Sequence, residues 1–187
     1  MFRRNSPGEF NRPIKGLARA LKGAAPCLAA YVLSIGAAAA LDCSAIIVDR
    51  GDQLSFGQAR LGDPPSRLPS NAAAPRECGE TCLYTDAAGA TYAVKDEEIV
   101  RKEIPDVLHY GGAMPARITA MDSLLTVLMR LADFSEGMPV WSLAPLPGGG
   151  LLLRTENCIE GSNGVRGSYG FTFDREGRLT AISAEVL

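Results

Sequence analysis

The fold class of this chain is decided by the stretch PVWSLAPLPGGGLLLRTENCIEGSNGVRGSYGFTFDREGRLTAISAEV, residues 139–186. Within it lie four runs of strand-forming residues: PVWSLAP, GLLLRTENC, GSYGFTFD and LTAISAEV. They are separated by LPGG, EGSNG and REG, which are rich in the residue types that form tight turns. Because the runs follow one another with no helical segment between them, the pattern predicts antiparallel pairing.

A second group of short strands is predicted earlier in the chain. Thr81–Thr85, Ala90–Val94 and Glu98–Ile104 are strand-like runs separated by the polar turn segments DAAG and KDE. A β-branched run at Cys43–Gly51 predicts a first strand that ends in a turn. The chain therefore contains two predicted meanders.

One amphipathic helix is predicted between the two meanders, starting near Ala116. Pro115 suits its first turn and Gly137 its C-terminal end. The spacing of the apolar residues predicts a single buried stripe. This stripe contains Ile118, Met121, Leu124, Leu125, Leu128 and Leu131. The predicted fold class is α+β, an antiparallel sheet of two meanders with one amphipathic helix packed on it.

Residues 57–76, GQARLGDPPSRLPSNAAAPR, have almost no apolar periodicity and are rich in proline, alanine and glycine. Such a composition predicts an irregular loop. Loops of this length are uncommon inside compact domains, so we expect either a mobile connector or a segment that contacts a partner.

The N-terminal residues 1–40 have the pattern of a secretory signal peptide. Six basic residues accompany a single acidic one, and residues 24–41, AAPCLAAYVLSIGAAAAL, carry no charge. Small residues at Ala38 and Ala40 fit cleavage after Ala40. Residues 41–187 then form a single exported domain, periplasmic or secreted. The alternative is an uncleaved inner-membrane anchor in which only residues 24–41 meet the membrane.

Charge argues against one class of partner. The whole chain has 19 basic and 21 acidic residues, a net charge of −2, and loss of residues 1–40 brings this to −7. An acidic domain repels phosphate backbones, so no nucleic-acid partner is predicted. The charge favours a basic protein partner in the envelope, or serves only to keep the domain soluble.

Four cysteines remain after residue 40, and an even number in an exported chain predicts two disulfides. Three pairings are possible. We favour Cys78–Cys82 with Cys43–Cys158, since the second bond joins two distant strands. A redox pair or a zinc site is the alternative, but a catalytic thiol pair is usually C-x-x-C at a helix start, and zinc needs further ligands.

Catalytic candidates are few. His109 is the single histidine of the chain, and Asp106 lies three residues before it. A histidine oriented by a carboxylate is part of hydrolytic triads, yet no G-x-S-x-G motif accompanies it. The acidic run Asp96–Glu98 fits a solvated turn, and the Gly148–Gly150 run lacks the lysine of a phosphate loop. No cofactor and no metal are predicted.

The sequence favours an exported, disulfide-stabilised binding protein of the bacterial envelope over an enzyme. We expect it to bind a protein, as an inhibitor or immunity-type module does. Two alternatives stay open. One is a periplasmic protein that binds a small molecule or lipid in a pocket beneath Leu124, Leu128 and Trp141. The other is a small hydrolase that uses His109.

Overall fold

The computed structural model describes residues 42–49, 52–73, 75, 78–132 and 140–187. The predicted signal peptide, its cleavage site and the predicted helix end at Gly137 lie outside these residues. Within the described ranges, no helix combines the length and apolarity that crossing a bilayer requires.

The described chain is mostly β, with one short α-helix, α1, at Leu124–Ala132. Two 3₁₀ turns, Pro65–Arg67 and Pro115–Arg117, precede it. The strands are β1 Asp42–Val48, β2 Cys82–Thr85, β3 Thr91–Lys95, β4 Glu98–Ile104, β5 Trp141–Pro145, β6 Leu151–Thr155, β7 Asn157–Glu160, β8 Arg166–Phe173 and β9 Leu179–Val186. The predicted strands are confirmed, although the run at residues 150–158 divides at Glu156 into β6 and β7.

All nine strands belong to one mixed, mostly antiparallel sheet. Its main order is β1-β7-β8-β9-β4-β3-β2. Two strands lie off this path: β6 pairs with β8, and β5 pairs with β6. The two predicted meanders are therefore one sheet, joined where β4 pairs with β9. The prediction of a purely antiparallel sheet is wrong at β1, which runs parallel to β7. The α+β class is met only in part, because in the part of the chain that the structure describes a single nine-residue helix accompanies nine strands.

The register divides the sheet into a core face and an outer face, since successive side chains on a strand point to opposite sides. On the core face, Tyr92, Lys102, Ala184 and Tyr169 form one row across β3, β4, β9 and β8. On the outer face, a second row crosses β4, β9, β8 and β6. It consists of Glu103, Ser183, Gly170 and Arg154.

The segment 54–61, which leads into the predicted irregular loop and includes its first residues, is part of the core. Leu54 and Phe56 precede the loop, Ala59 and Leu61 lie within it, and all four are buried. Its carbonyl groups find a donor in Lys102, whose Nζ donates to Phe56 O (2.5 Å) and Ala59 O (2.8 Å). Because a buried carbonyl without a donor is costly, this lysine allows irregular backbone to pack against the sheet.

Two tyrosines hold the same segment. The Tyr92 hydroxyl donates to Asp86 Oδ2 (2.9 Å) and accepts from the backbone N–H of Gln58 (3.3 Å). The Tyr110 hydroxyl accepts from the backbone N–H of Gly57 (3.1 Å). The position of Gly57 also requires glycine, because its φ is 68° and a Cβ there would lie 2.2 Å from the Tyr92 hydroxyl oxygen.

The helix is shorter than predicted, and the predicted buried stripe is confirmed only in part. It begins at Leu124 rather than near Ala116, whose φ of 50° is not helical. Ser123 precedes the first helical residue, and its Oγ accepts from the backbone N–H of Thr126 (3.4 Å), which is the geometry of an N-cap. Val127 and Leu131 are buried.

The predicted burial is therefore wrong for two members of the stripe. Met121 and Leu125 are 74% and 68% exposed. The prediction counted the helical period through residues 116–123, which form a 3₁₀ turn and irregular backbone. Leu124 and Leu128 are partly buried and do pack against the core.

Candidate functional site

The four cysteines of the described chain form two disulfides. Cys43 is bonded to Cys158 and Cys78 to Cys82, the arrangement that the sequence favoured. The first bond ties β1 to its parallel neighbour β7, and the second closes a turn before β2. The described residues contain no group of three histidine, cysteine, aspartate or glutamate side chains placed to hold a metal ion.

His109 and Asp106 do contact each other, at the surface. His109 Nδ1 lies 2.7 Å from Asp106 Oδ2, and the two side chains are 78% and 59% exposed. The backbone N–H groups of Leu108 and His109 also point at Asp106 Oδ1 (3.1 and 3.4 Å). The hydrogen bond from His109 holds the pKa of Asp106 below its usual value. These contacts give Asp106 a role in closing the turn after β4.

A cleft of about 400 Å³ opens beside this turn. Its walls come from the segment after β4, from the turn before α1, and from the β8–β9 hairpin; they include Leu108, Met121, Asp174 and Arg178. No serine or cysteine is among the residues of the described chain that line it. The hydroxyl group among its lining residues belongs to Thr180, whose Oγ1 donates to Thr172 O (3.1 Å) rather than contacting His109.

Backbone hydrogen bonds hold the three walls together. The N–H of Val107 donates to Thr180 O (3.0 Å), which joins the segment after β4 to β9. The N–H of Leu124 donates to Gly177 O (3.2 Å), so the start of the helix is bonded to the β8–β9 hairpin. The cleft is therefore a fixed feature of the sheet end rather than a gap between independent loops.

Four strongly exposed apolar side chains lie at the cleft or on the adjoining helix α1; we call them the apolar patch. They are Leu108 (67% exposed), Met121 (74%), Leu125 (68%) and Met129 (65%). The other exposed large apolar residues of the described chain reach 51% at most. Leu108 and Met121 line the cleft, while Leu125 and Met129 lie one turn apart on the solvent face of α1.

The charged groups beside the patch are mostly acidic. Arg178 Nε contacts Asp174 Oδ2 (3.1 Å) and its Nη2 contacts Glu176 Oε2 (3.4 Å). The backbone N–H of Arg178 and its side chain together hold the pKa of Asp174 below its usual value. Among the residues that line the cleft there are two carboxylates, Asp106 and Asp174, and one guanidinium, Arg178. The rim therefore carries net negative charge.

The sequence could have indicated the exposed half of the helix. In the helical segment LLTVLMRLA, apolar residues surround the axis, since only Thr126 and Arg130 are polar. A short helix against one sheet face buries only part of its circumference, so some of these residues had to face solvent.

The lipid-binding alternative places a pocket beneath Leu124, Leu128 and Trp141, and these three side chains pack against the core. Trp141 is buried and meets the Phe171 ring edge-on, with 5.8 Å between centroids. Leu124 and Leu128 pack against the same core.

Comparison of the chain with protein-family models, with curated protein sequences and with solved structures finds no match.

Proposed function

We propose that the chain is an exported, disulfide-stabilised binding protein that docks a protein partner through the apolar patch. The observation that carries this proposal is that, among the described residues, the four most exposed large apolar side chains lie either at one cleft (Leu108 and Met121) or on the solvent face of the adjoining helix (Leu125 and Met129). Soluble proteins expose single apolar residues freely, but grouped ones indicate a surface that another molecule covers. Flexible methionines, two of the four, are common at such surfaces.

The partner is a basic protein that inserts an aliphatic or aromatic side chain into the cleft. The cleft walls supply the apolar contact, and the carboxylates at its rim favour lysine or arginine around the inserted residue. The net charge of −7 after loss of residues 1–40 also attracts a basic partner, and it does so at longer range. An inhibitor or immunity-type protein of the periplasm fits this description, and two disulfides suit an oxidising compartment.

A photo-crosslinking amino acid in place of Leu125 should trap this partner in the producing cell. We expect one dominant adduct with a basic protein, identified by mass spectrometry. The same group in place of Leu83, an exposed apolar residue on the outer face of β2, is the matched control and should not give that adduct. Identical adducts at both positions, or none at either, would contradict docking through the patch.

With the partner purified, Met121→Glu should weaken its binding by about 30-fold, the effect of losing an interface hot spot. Leu83→Glu should leave the dissociation constant within about twofold, because exposed changes away from an interface have small effects. Surface plasmon resonance measures both, and a repeat at higher salt should show slower association. Equal affinities of the two variants would refute the proposed interface.

A further inference from the structure

A second candidate site lies on the outer face of the sheet, where β4, β9, β8 and β6 form a groove of about 260 Å³. Its floor consists of small residues, Ser168, Gly170 and Ser183. A Cβ at Gly170 would lie 2.8 Å from Ser183 Oγ and 3.4 Å from Leu152 Cδ1. Glycine at this position therefore keeps the floor open.

The floor presents hydroxyl groups without protein partners. Ser168 is only 5% exposed, yet its side chain makes no hydrogen bond with the described residues, and the same holds for Ser183. A nearly buried hydroxyl that lines a groove is available to a ligand, since buried polar groups are normally hydrogen-bonded.

The walls of the groove carry both basic and acidic side chains. Arg101 and Glu103 contact each other at 3.5 Å. Arg154 on β6 and Glu185 on β9 have no ion pair in the described part of the chain. Two arginines and two glutamates make the groove neutral as a whole, and Arg154 and Glu185 are the cation and the anion that have no ion pair among the described residues.

The register sets the separation of the two free charges. Arg154 pairs with Gly170, and Gly170 with Ser183, two residues before Glu185 on β9. Strands about 4.8 Å apart and a rise of about 3.4 Å per residue put the two Cα atoms about 12 Å from each other. Both side chains project from the same face, so their charged ends can contact a ligand about 7 Å long, the length of two extended residues.

We propose that this outer-face groove binds a free peptide of two or three residues through its two charged termini. The peptide carboxylate contacts the Arg154 guanidinium. Its ammonium group contacts Glu185 and the hydroxyl of Ser168, which lies directly opposite Glu185 on β8. A simple anion would meet the glutamates and a simple cation the arginines, whereas a zwitterion satisfies both. Leu152 supplies the apolar contact for a small side chain. This site is separate from the protein-docking patch.

Isothermal titration of the full chain with Ala-Ala and Ala-Ala-Ala tests the proposal. We expect saturable binding of the unmodified peptides. N-acetyl-Ala-Ala and Ala-Ala-amide, which each lack one terminal charge, should bind about tenfold more weakly or worse. Absence of saturable binding, or equal binding of the blocked peptides, overturns the proposal.

Variants assign the contacts. Arg154→Gln and Glu185→Gln should each weaken Ala-Ala binding by about tenfold or more, since each removes a charge-assisted hydrogen bond. Arg67→Gln and Glu80→Gln, which change exposed residues outside the groove, should bind normally. Thermal unfolding confirms that all four variants are folded. Unchanged affinity in Arg154→Gln would overturn the proposal even if the peptide binds elsewhere.

Discussion

Removing the disulfide between Cys43 and Cys158 should lower the free energy of unfolding by about 4–5 kcal/mol. The bond joins residues 115 positions apart, so it strongly restricts the unfolded chain. It also ties β1 to the sheet, and β1 has β7 as its one strand partner among the described residues. Urea unfolding of the Cys43→Ala/Cys158→Ala double variant measures the loss.

The second disulfide is the matched control. Cys78 and Cys82 are four positions apart, and a loop this short restricts the unfolded chain much less. The Cys78→Ala/Cys82→Ala variant should lose about 2 kcal/mol. Equal losses in the two double variants would contradict the argument from loop length.

The antiparallel part of the sheet was predictable because its signals are local. In the segment EGSNG, for example, the backbone N–H of Gly161 donates to Val165 O (3.0 Å) and Gly164 has a φ of 77°. Turn residues therefore specify the β7–β8 hairpin directly. The parallel pairing of β1 with β7 has no such signal, since it joins segments more than 100 residues apart.

The candidate site was predicted less well, because exposure on the helix depends on where the helix begins. Treating residues 116–123 as helical assigned Met121 and Leu125 to the core, whereas the Ser123 cap starts the helix later. Both residues belong to the apolar patch. The histidine–aspartate contact was predictable from its spacing, but its exposure was not.

The burial of Lys102 depends on an irregularity in its own strand, β4. The register of β3 and β4 shifts between Ala93 and Val94, and a bulge of this kind redirects the side chains beyond it. Ile99, Lys102 and Ile104 all become buried as a result. In the sequence EIVRKEI, strict alternation would not bury Ile99 together with Lys102.

Replacing this lysine should be costly for folding. Lys102→Met should lower the free energy of unfolding by about 2–5 kcal/mol, because it leaves Phe56 O and Ala59 O buried without their donor. Arg101→Met, one residue away and half exposed, should cost about 0.5 kcal/mol or less. Urea unfolding measures both. A Lys102→Met variant as stable as Arg101→Met would show that the lysine does not hold the core segment.

The stability of the wild-type chain should rise between about pH 8 and pH 10. Burial lowers the pKa of Lys102 to about 8, while a lysine in the unfolded chain titrates near 10.4. Between these values the unfolded state binds more protons than the folded state, so raising the pH favours folding, by about 1–2 kcal/mol at pH 9.5.

Above about pH 10 the trend should reverse. Burial raises the pKa of Tyr92 and Tyr169, so the folded state keeps protons that the unfolded state loses. In Lys102→Met the increase of stability between about pH 8 and pH 10 should disappear and the decrease above about pH 10 should remain, because the variant lacks the titrating lysine but keeps both tyrosines. Urea unfolding from pH 7 to pH 11 distinguishes the two contributions. If the stability of Lys102→Met still increased between about pH 8 and pH 10, the increase would come from a group other than Lys102.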